Sequence, residues 1–187
     1  MAQKRKDWNG LISGFKASDL VFLDESGCNT DMTRRYAYSL GGSNAVDSAP
    51  LSKPKNTTIL SSIQLDGTLR YTTFSGGTTV ERFKRYLETD LLPHLNGNSV
   101  LIMDNMKLHH AKAVRNLLDS SGVRYIYLPP YSPDLNPIEK LWSKVKSFLR
   151  KFKARTLDAL PNAIQNAFHS VTVSDCSGWF RFCGYAL

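Results

Sequence analysis

Three acidic side chains, far apart in the chain, stand where chemistry could gather. Asp24 closes the apolar run Asp19-Leu-Val-Phe-Leu-Asp24, Asp104 closes Ser99-Val-Leu-Ile-Met-Asp104, and Glu139 follows a proline-rich stretch from Pro129 to Pro137. Both runs read as short buried strands. If they lie side by side and parallel, about 4.8 Å apart, their aspartates emerge at one carboxyl edge of a sheet, where ligand sites of α/β folds collect. Glu139 falls in the first turn of the next helix, roughly 100° round from Ile138, and from there it overlooks that edge. Three carboxylates within about 4 to 5 Å repel by several kcal/mol per pair at an effective dielectric near 20, so such a cluster calls for a cation. Oxygen donors without Cys or His partners suit Mg²⁺ or Mn²⁺, and a two-ion site can activate a water and stabilise the leaving oxygen of a phosphodiester.

The elements that must carry these residues follow from local pattern. Asp19 to Asp24 is the first strand, with Ser26-Gly27 as its exit turn. Arg35 to Leu40 and Thr57 to Gln64 read as two more strands, separated by a Gly/Ser/Pro-rich stretch from Gly41 to Pro54, and Leu69 to Phe74 is a further extended piece. Thr78 and Glu81 have capping-box spacing before a helix over about residues 79–92. After the strand ending at Asp104, His109 to Ser121 reads as a helix closed by Gly122, and Val123 to Leu128 as a strand. Four of the eight prolines fall between Pro129 and Pro137, which predicts a stiff elbow. Beyond it, Asn136 as cap, Pro137 at the first position and the stripe Ile138, Leu141, Trp142, Val145, Phe148, Leu149 and Phe152 specify a helix. Leu157 to Phe168 reads as one more helix, and the tail to Leu187 shows no clear periodicity. The order βββαβαβα predicts an α/β fold, a mixed central sheet with flanking helices.

Composition narrows the partners. The chain has 187 residues, enough for one ordinary domain, with 42% hydrophobic and 21% charged residues, which excludes disorder and fibrous rods. No run reaches the roughly 18 apolar residues of a membrane span, and no apolar signal core follows Lys4, Arg5 and Lys6, so a cytoplasmic protein without a membrane partner is expected. Three cysteines, Cys28, Cys176 and Cys183, point to free thiols in a reducing compartment. A formal charge of +8 makes a polyanion the first partner to consider.

Three strings together resemble a known family: Val21-Phe-Leu-Asp-Glu-Ser-Gly27, Met103-Asp-Asn105 with His109 beyond it, and Leu128-Pro-Pro-Tyr-Ser-Pro-Asp-Leu-Asn-Pro-Ile-Glu-Lys-Leu-Trp142. They are similar to the catalytic domain of DDE transposases of the mariner-like superfamily, including bacterial insertion-sequence members. The 34 residues between Asp104 and Glu139 match the spacing typical of that branch. The resemblance runs from about Asp19 to Phe152. It implies a ribonuclease H-like fold in which Asp24, Asp104 and Glu139 hold two Mg²⁺ (or Mn²⁺) ions. It further implies cleavage at the ends of a mobile DNA element and attack of the freed 3′-hydroxyl on target DNA. The expected partners are transposon-end and target DNA, with a homodimer on the DNA and a nucleoid-associated location in a bacterial cell. Members of the family carry an N-terminal helix-turn-helix region. Here residues 1–18 form a basic arm before a catalytic domain over residues 19–187, so a separately encoded helix-turn-helix partner is expected to read the element ends.

Other residues carry two readings each. Glu25 neighbours Asp24, and a carboxylate after a strand is often only a turn former; the resemblance favours Asp24 as the ligand. Asn136 and Glu139 fit a capping box, while motif and spacing favour metal for Glu139. Asn105 and His109 either support the metal site from a second shell or simply sit in the first turn of their helix. Seven basic residues with no acidic one among them, Lys140, Lys144, Lys146, Arg150, Lys151, Lys153 and Arg155, read as a solvated face or, beside Glu139, as DNA-phosphate contacts. Trp142 reads as core, and His169, Cys176 and Cys183 match no usual zinc spacing. Two rival functions remain: a non-catalytic DNA-binding or oligomerising fragment of a split or truncated transposase, and another nuclease of the same fold, acting on RNA–DNA hybrids or four-way junctions.

Overall fold

The structure is a computed structural model that describes residues 2–34, 36–48, 50 and 54–185. Five strands form one mixed sheet: β1 (Leu20–Cys28), β2 (Thr57–Ile63), β3 (Leu69–Ser75), β4 (Val100–Met103) and β5 (Arg124–Tyr127), in spatial order β3-β2-β1-β4-β5. The hairpin half, β3-β2-β1, is antiparallel, whereas β4 and β5 add parallel to β1. The helices are α1 (Ala2–Ile12), α2 (Val80–Tyr86), α3 (Lys112–Ser121), α4 (Ile138–Phe152), α5 (Ala159–His169) and α6 (Val173–Phe182). The architecture is that of a ribonuclease H-like domain.

Strand alternation divides the core into two layers. Leu20, Phe22, Val100 and Ile102 point to one face, where α4, α5 and α6 bring Leu141, Val145, Ile164 and Phe180. Val21, Leu23, Leu101 and Met103 point to the other, against Phe83 of α2, Leu87 and Leu91 in the turns after it, and Val114 and Leu118 of α3. By the same parity, Asp24 and Asp104 follow the set that faces α4. Gly122 ends α3 at φ 70°, a left-handed position that costs a residue without a Cβ nothing.

Several expectations are corrected. Residues 36–40 form no strand: Tyr36, Tyr38 and Leu40 lie exposed in a long excursion between β1 and β2, and Arg35 lies outside the described residues. Their alternation had β propensity, but both edges of β1, the strand they follow, are taken by β2 and β4. The three early strands are therefore residues 20–28, 57–63 and 69–75. Asp24 does not end its strand. Pairing of β1 with β4 stops at Leu23↔Met103, while pairing with β2 continues to Cys28↔Thr57, so Asp24 marks the end of the parallel half only. The cap of α2 is Thr79, whose hydroxyl accepts from the Arg82 N–H, not Thr78.

The tail without periodicity is a helix with a strong local start. Thr172 and Asp175 form a reciprocal capping box at the head of α6. Its Phe180 packs edge-on to Phe22 at 5.4 Å, and Tyr185 beyond it lies 5.1 Å from the same ring. At the other end of the chain, Trp8 of α1 is buried in that layer too. Phe180→Ala should lower unfolding free energy by about 3–5 kcal/mol in a denaturant titration, and Phe182→Ala, at a position 67% exposed, by much less. Equal losses would refute the place given to α6.

Candidate active site

The three sequence-predicted acids line one cleft of about 490 Å³, walled by Leu128, the proline elbow and Asn136. Asp24 reaches it from β1 and Asp104 from the residue after β4, one step beyond the last paired residues, Leu23 and Met103. Glu139 reaches it from the first turn of α4 and is the most exposed of the three. The elbow is tied down on several sides. Leu128 donates its N–H to the Met103 carbonyl at 2.8 Å, Asn105 donates its amide to the Leu128 carbonyl, Arg5 ion-pairs with Asp134, and the Tyr185 hydroxyl donates to the Leu135 carbonyl.

Each carboxylate has its own environment. Asp24 is only 9% exposed, and the Trp142 indole N–H donates to its Oδ2 at 3.0 Å. Burial drives its pKa up to about 7; hydrogen bonds from the Glu25 backbone and Trp142 oppose the rise, and the charges of Asp104 and Glu139 add to it. Asp104 accepts from His109 Nδ1 at 2.8 Å and from the Met106 N–H at 2.9 Å. Burial pushes Asp104 up, yet these contacts outweigh it and hold the carboxyl below the ordinary range. His109 is fully buried against Phe83 at 4.6 Å. Burial depresses its pKa, but the Asp104 hydrogen bond and charge overcome that and leave it raised.

Among the described residues no three Asp, Glu, His or Cys side chains are drawn tightly enough together to grip a metal ion. The arrangement is one that repulsion favours, with Asp104 turned onto His109, Asp24 onto Trp142 and Glu139 toward water. The donor chemistry nevertheless fits a hard divalent cation: three carboxylates on one cleft, the buried one already burdened by the charge of the other two.

Strand parity separates Asp24 from Glu25. Glu25 falls on the α2–α3 parity, with a buried Oε2 that has no partner, and burial raises its pKa. The capping reading of Glu139 also fails. Pro137 occupies the cap position of α4 without a side-chain bond, and the Asn136 Oδ1 is buried without a partner. Asn105 bridges the exits of β4 and β5 and touches His110 Nε2 at 3.2 Å through its Oδ1. Sequence reasoning placed Trp142 in the core but missed that it holds Asp24. The available signal was its place one turn after Glu139 and the rule that a buried indole N–H needs an acceptor.

The basic run is partly engaged. Lys144 pairs with Asp175, Lys153 pairs with Asp47, and Lys140 sits 3.9 Å over the Phe182 ring. Arg155 donates to the Thr30 and Met32 carbonyls at 3.1 Å. Lys146 and Arg150 line a polar hollow with Asn29, Asp31 and Asn56, and Lys151 lies with Arg150 beside Arg34 and Tyr36.

Comparison with known proteins decides the family. The model of the DDE superfamily endonuclease family matches residues 19–161. The chain belongs to this family. The transposable element Tc1 transposase of Caenorhabditis elegans is 30% identical over 97 residues, which is 50% of this chain and 36% of that protein. The chain thus spans about a third of the curated relative's length. The fold is that of Mos1 structures. The pre-cleavage Mos1 transpososome superposes with a TM-score of 0.81 at 18% identity, covering 97% of this chain and 58% of that one. The Mos1 mariner catalytic domain gives 0.72 at 16% identity, covering 96% and 85%. Structures of Mos1 include complexes with Mn and with Mg, and a paired-end complex with the left transposon end. No helix among the described residues of this DDE domain is long and apolar enough to cross a membrane.

The pH dependence of stability follows from Asp24 and His109. Folding raises the Asp24 pKa from 3.8 to about 7, so the folded state binds the extra proton and stability falls as pH rises through that window. The raised His109 pKa acts in the same direction, its contribution present at low pH and lost as pH climbs through the folded value. In metal-free buffer, Asp24→Asn should raise unfolding free energy by roughly 2–4 kcal/mol at pH 8 and by little at pH 4.5, measured by denaturant titration. A wild-type and variant pair with identical pH slopes would contradict the assignment.

Proposed function

We propose that this domain carries out divalent-metal-dependent cleavage at the ends of a mobile DNA element and joins the freed 3′-hydroxyl to target DNA. The observation that supports it most is the convergence of Asp24, Asp104 and Glu139 on one cleft, from three elements, in a chain of the DDE superfamily endonuclease family. In this reading the three carboxylates hold two Mg²⁺ or Mn²⁺ ions, which supply charge neutralisation for phosphoryl transfer when bound.

The chain's own residues perform the positioning. Trp142 fixes Asp24, His109 fixes Asp104, and the rigid start of α4 sets Glu139. Asn105 braces the β4 exit against Leu128 and so holds the cleft's width. A water attacks phosphorus and the P–O3′ bond breaks, leaving a 3′-hydroxyl and a 5′-phosphate; that hydroxyl then attacks a target phosphodiester in the same way. Lys140, Lys144, Lys146, Arg150, Lys151, Lys153 and Arg155 contact DNA phosphates, and the protein acts inside the cell as a homodimer on DNA. Residues 19–187 are the catalytic unit, and the basic arm of residues 1–18 is anchored to it through Trp8.

Asp24→Ala, Asp104→Ala and Glu139→Ala should each abolish Mg²⁺-dependent nicking of duplex DNA while circular dichroism stays that of the wild type. Retained nicking in one variant removes that residue from the mechanism. Absence of nicking in the wild type, alongside salt-sensitive duplex binding, favours a non-catalytic DNA-binding fragment instead. Lys146→Ala and Arg150→Ala should each lower the slope of log affinity against log salt by about 0.9. An unchanged slope places that side chain off the DNA.

A further inference from the structure

One wall of the carboxylate cleft has no part in the mechanism above. Tyr131 stands in the middle of the proline elbow, lines the same cleft as Asp24, Asp104 and Glu139, and is 89% exposed. Its φ is 55°, in the left-handed region where a bulky side chain is a genuine outlier. Lys153 also has positive φ among the described non-glycine residues, but it ends α4, where a left-handed residue is an ordinary helix stop. Tyr131 ends no helix. Its ring has no aromatic neighbour and its hydroxyl no hydrogen bond among the described residues. The strain is therefore unrelieved by packing, and it is locked in. Pro129, Pro130 and Pro133 restrict the chain on both sides, while Arg5, Asn105 and Tyr185 hold the elbow from outside.

A flat apolar face fixed beside a site for phosphodiester chemistry has one natural partner, a nucleobase. In a duplex the base faces are covered by their neighbours, so such a face is available only at a strand end or where a nucleotide has left the stack. We propose that Tyr131 is a stacking platform for the base adjacent to the phosphodiester that enters the carboxylate cleft, holding that base out of the duplex. This inference rests on the DNA-cleavage reading and adds to it a contact to the substrate's base.

The test uses the full chain and a DNA duplex with a short single-stranded overhang carrying 2-aminopurine at the junction, in Mg²⁺ buffer. The wild type should shift the 2-aminopurine fluorescence on binding. Tyr131→Asn, which accepts the left-handed backbone without supplying a ring, should lose that shift and bind the overhang probe about tenfold more weakly. Tyr131→Phe and Tyr131→Trp should keep both, and a fully paired duplex should bind wild type and Tyr131→Asn alike. Equal binding and equal fluorescence in wild type and Tyr131→Asn overturn the proposal. A wild type that cuts DNA yet gives no 2-aminopurine response overturns stacking and leaves cleavage standing. A response dependent on the ring in a protein that never cuts supports stacking and removes cleavage, and absence of any DNA binding removes both.

Discussion

A carboxylate kept almost out of water beside two others is the constraint around which this domain is arranged. Asp24 sits where the antiparallel and parallel halves of the sheet part company, with β2 still paired on one side and β4 gone on the other. That gap lets its side chain reach the cleft, and it also denies the charge its hydration. The indole of Trp142 offsets part of the cost, yet the carboxyl still rests near pH 7. Asp104, half-exposed and paired with His109, is the opposite case: it stays ionised. Two like groups a strand apart are thus pushed to different protonation behaviour by burial and partners alone, which is the electrostatic setting a divalent cation resolves.

The same constraint explains why so much structure converges on a short stretch of chain. The elbow between β5 and α4 must bring Glu139 over the sheet edge without closing the cleft, so it is stiffened by prolines and anchored by Asn105, Arg5 and Tyr185. Tyr185 belongs to the chain's far end, and its ring packs on Phe22 of β1. The last helix is therefore part of the support for the cleft, linking core packing to the position of its three carboxylates.

Sequence reasoning found most of this frame because the informative signals were local. Two apolar runs ending in aspartate, the glycine that ends α3 and the proline spacing before α4 each depend on only a few neighbouring residues. What it missed depended on partners distant in sequence. Tyr36, Tyr38 and Leu40 alternate like a strand, but both edges of β1, the strand before them, are taken by β2 and β4. Asn136 looked like a cap, yet the Pro137 backbone starts the helix and leaves the Asn136 Oδ1 without a partner. The tail had no periodicity because α6 is short and buries only Cys176 and Phe180 on its inner face, and only its capping box was readable. The role of Trp142 was hidden by its ordinary place in an apolar stripe. Parity along β1 was available from the start and separates Asp24 from Glu25 once the position of α4 is known.

Asp24, Asp104 and Glu139 should close on divalent ions when these are supplied. The most direct measurement is a crystal structure of the protein grown with Mn²⁺ and recorded with anomalous scattering. Anomalous peaks are expected within the cleft, with oxygens of all three carboxylates at direct coordination distance and Asp104 drawn toward the ions. Peaks elsewhere, or a cleft in which one of the three carboxylates stays turned away from every ion, would contradict it.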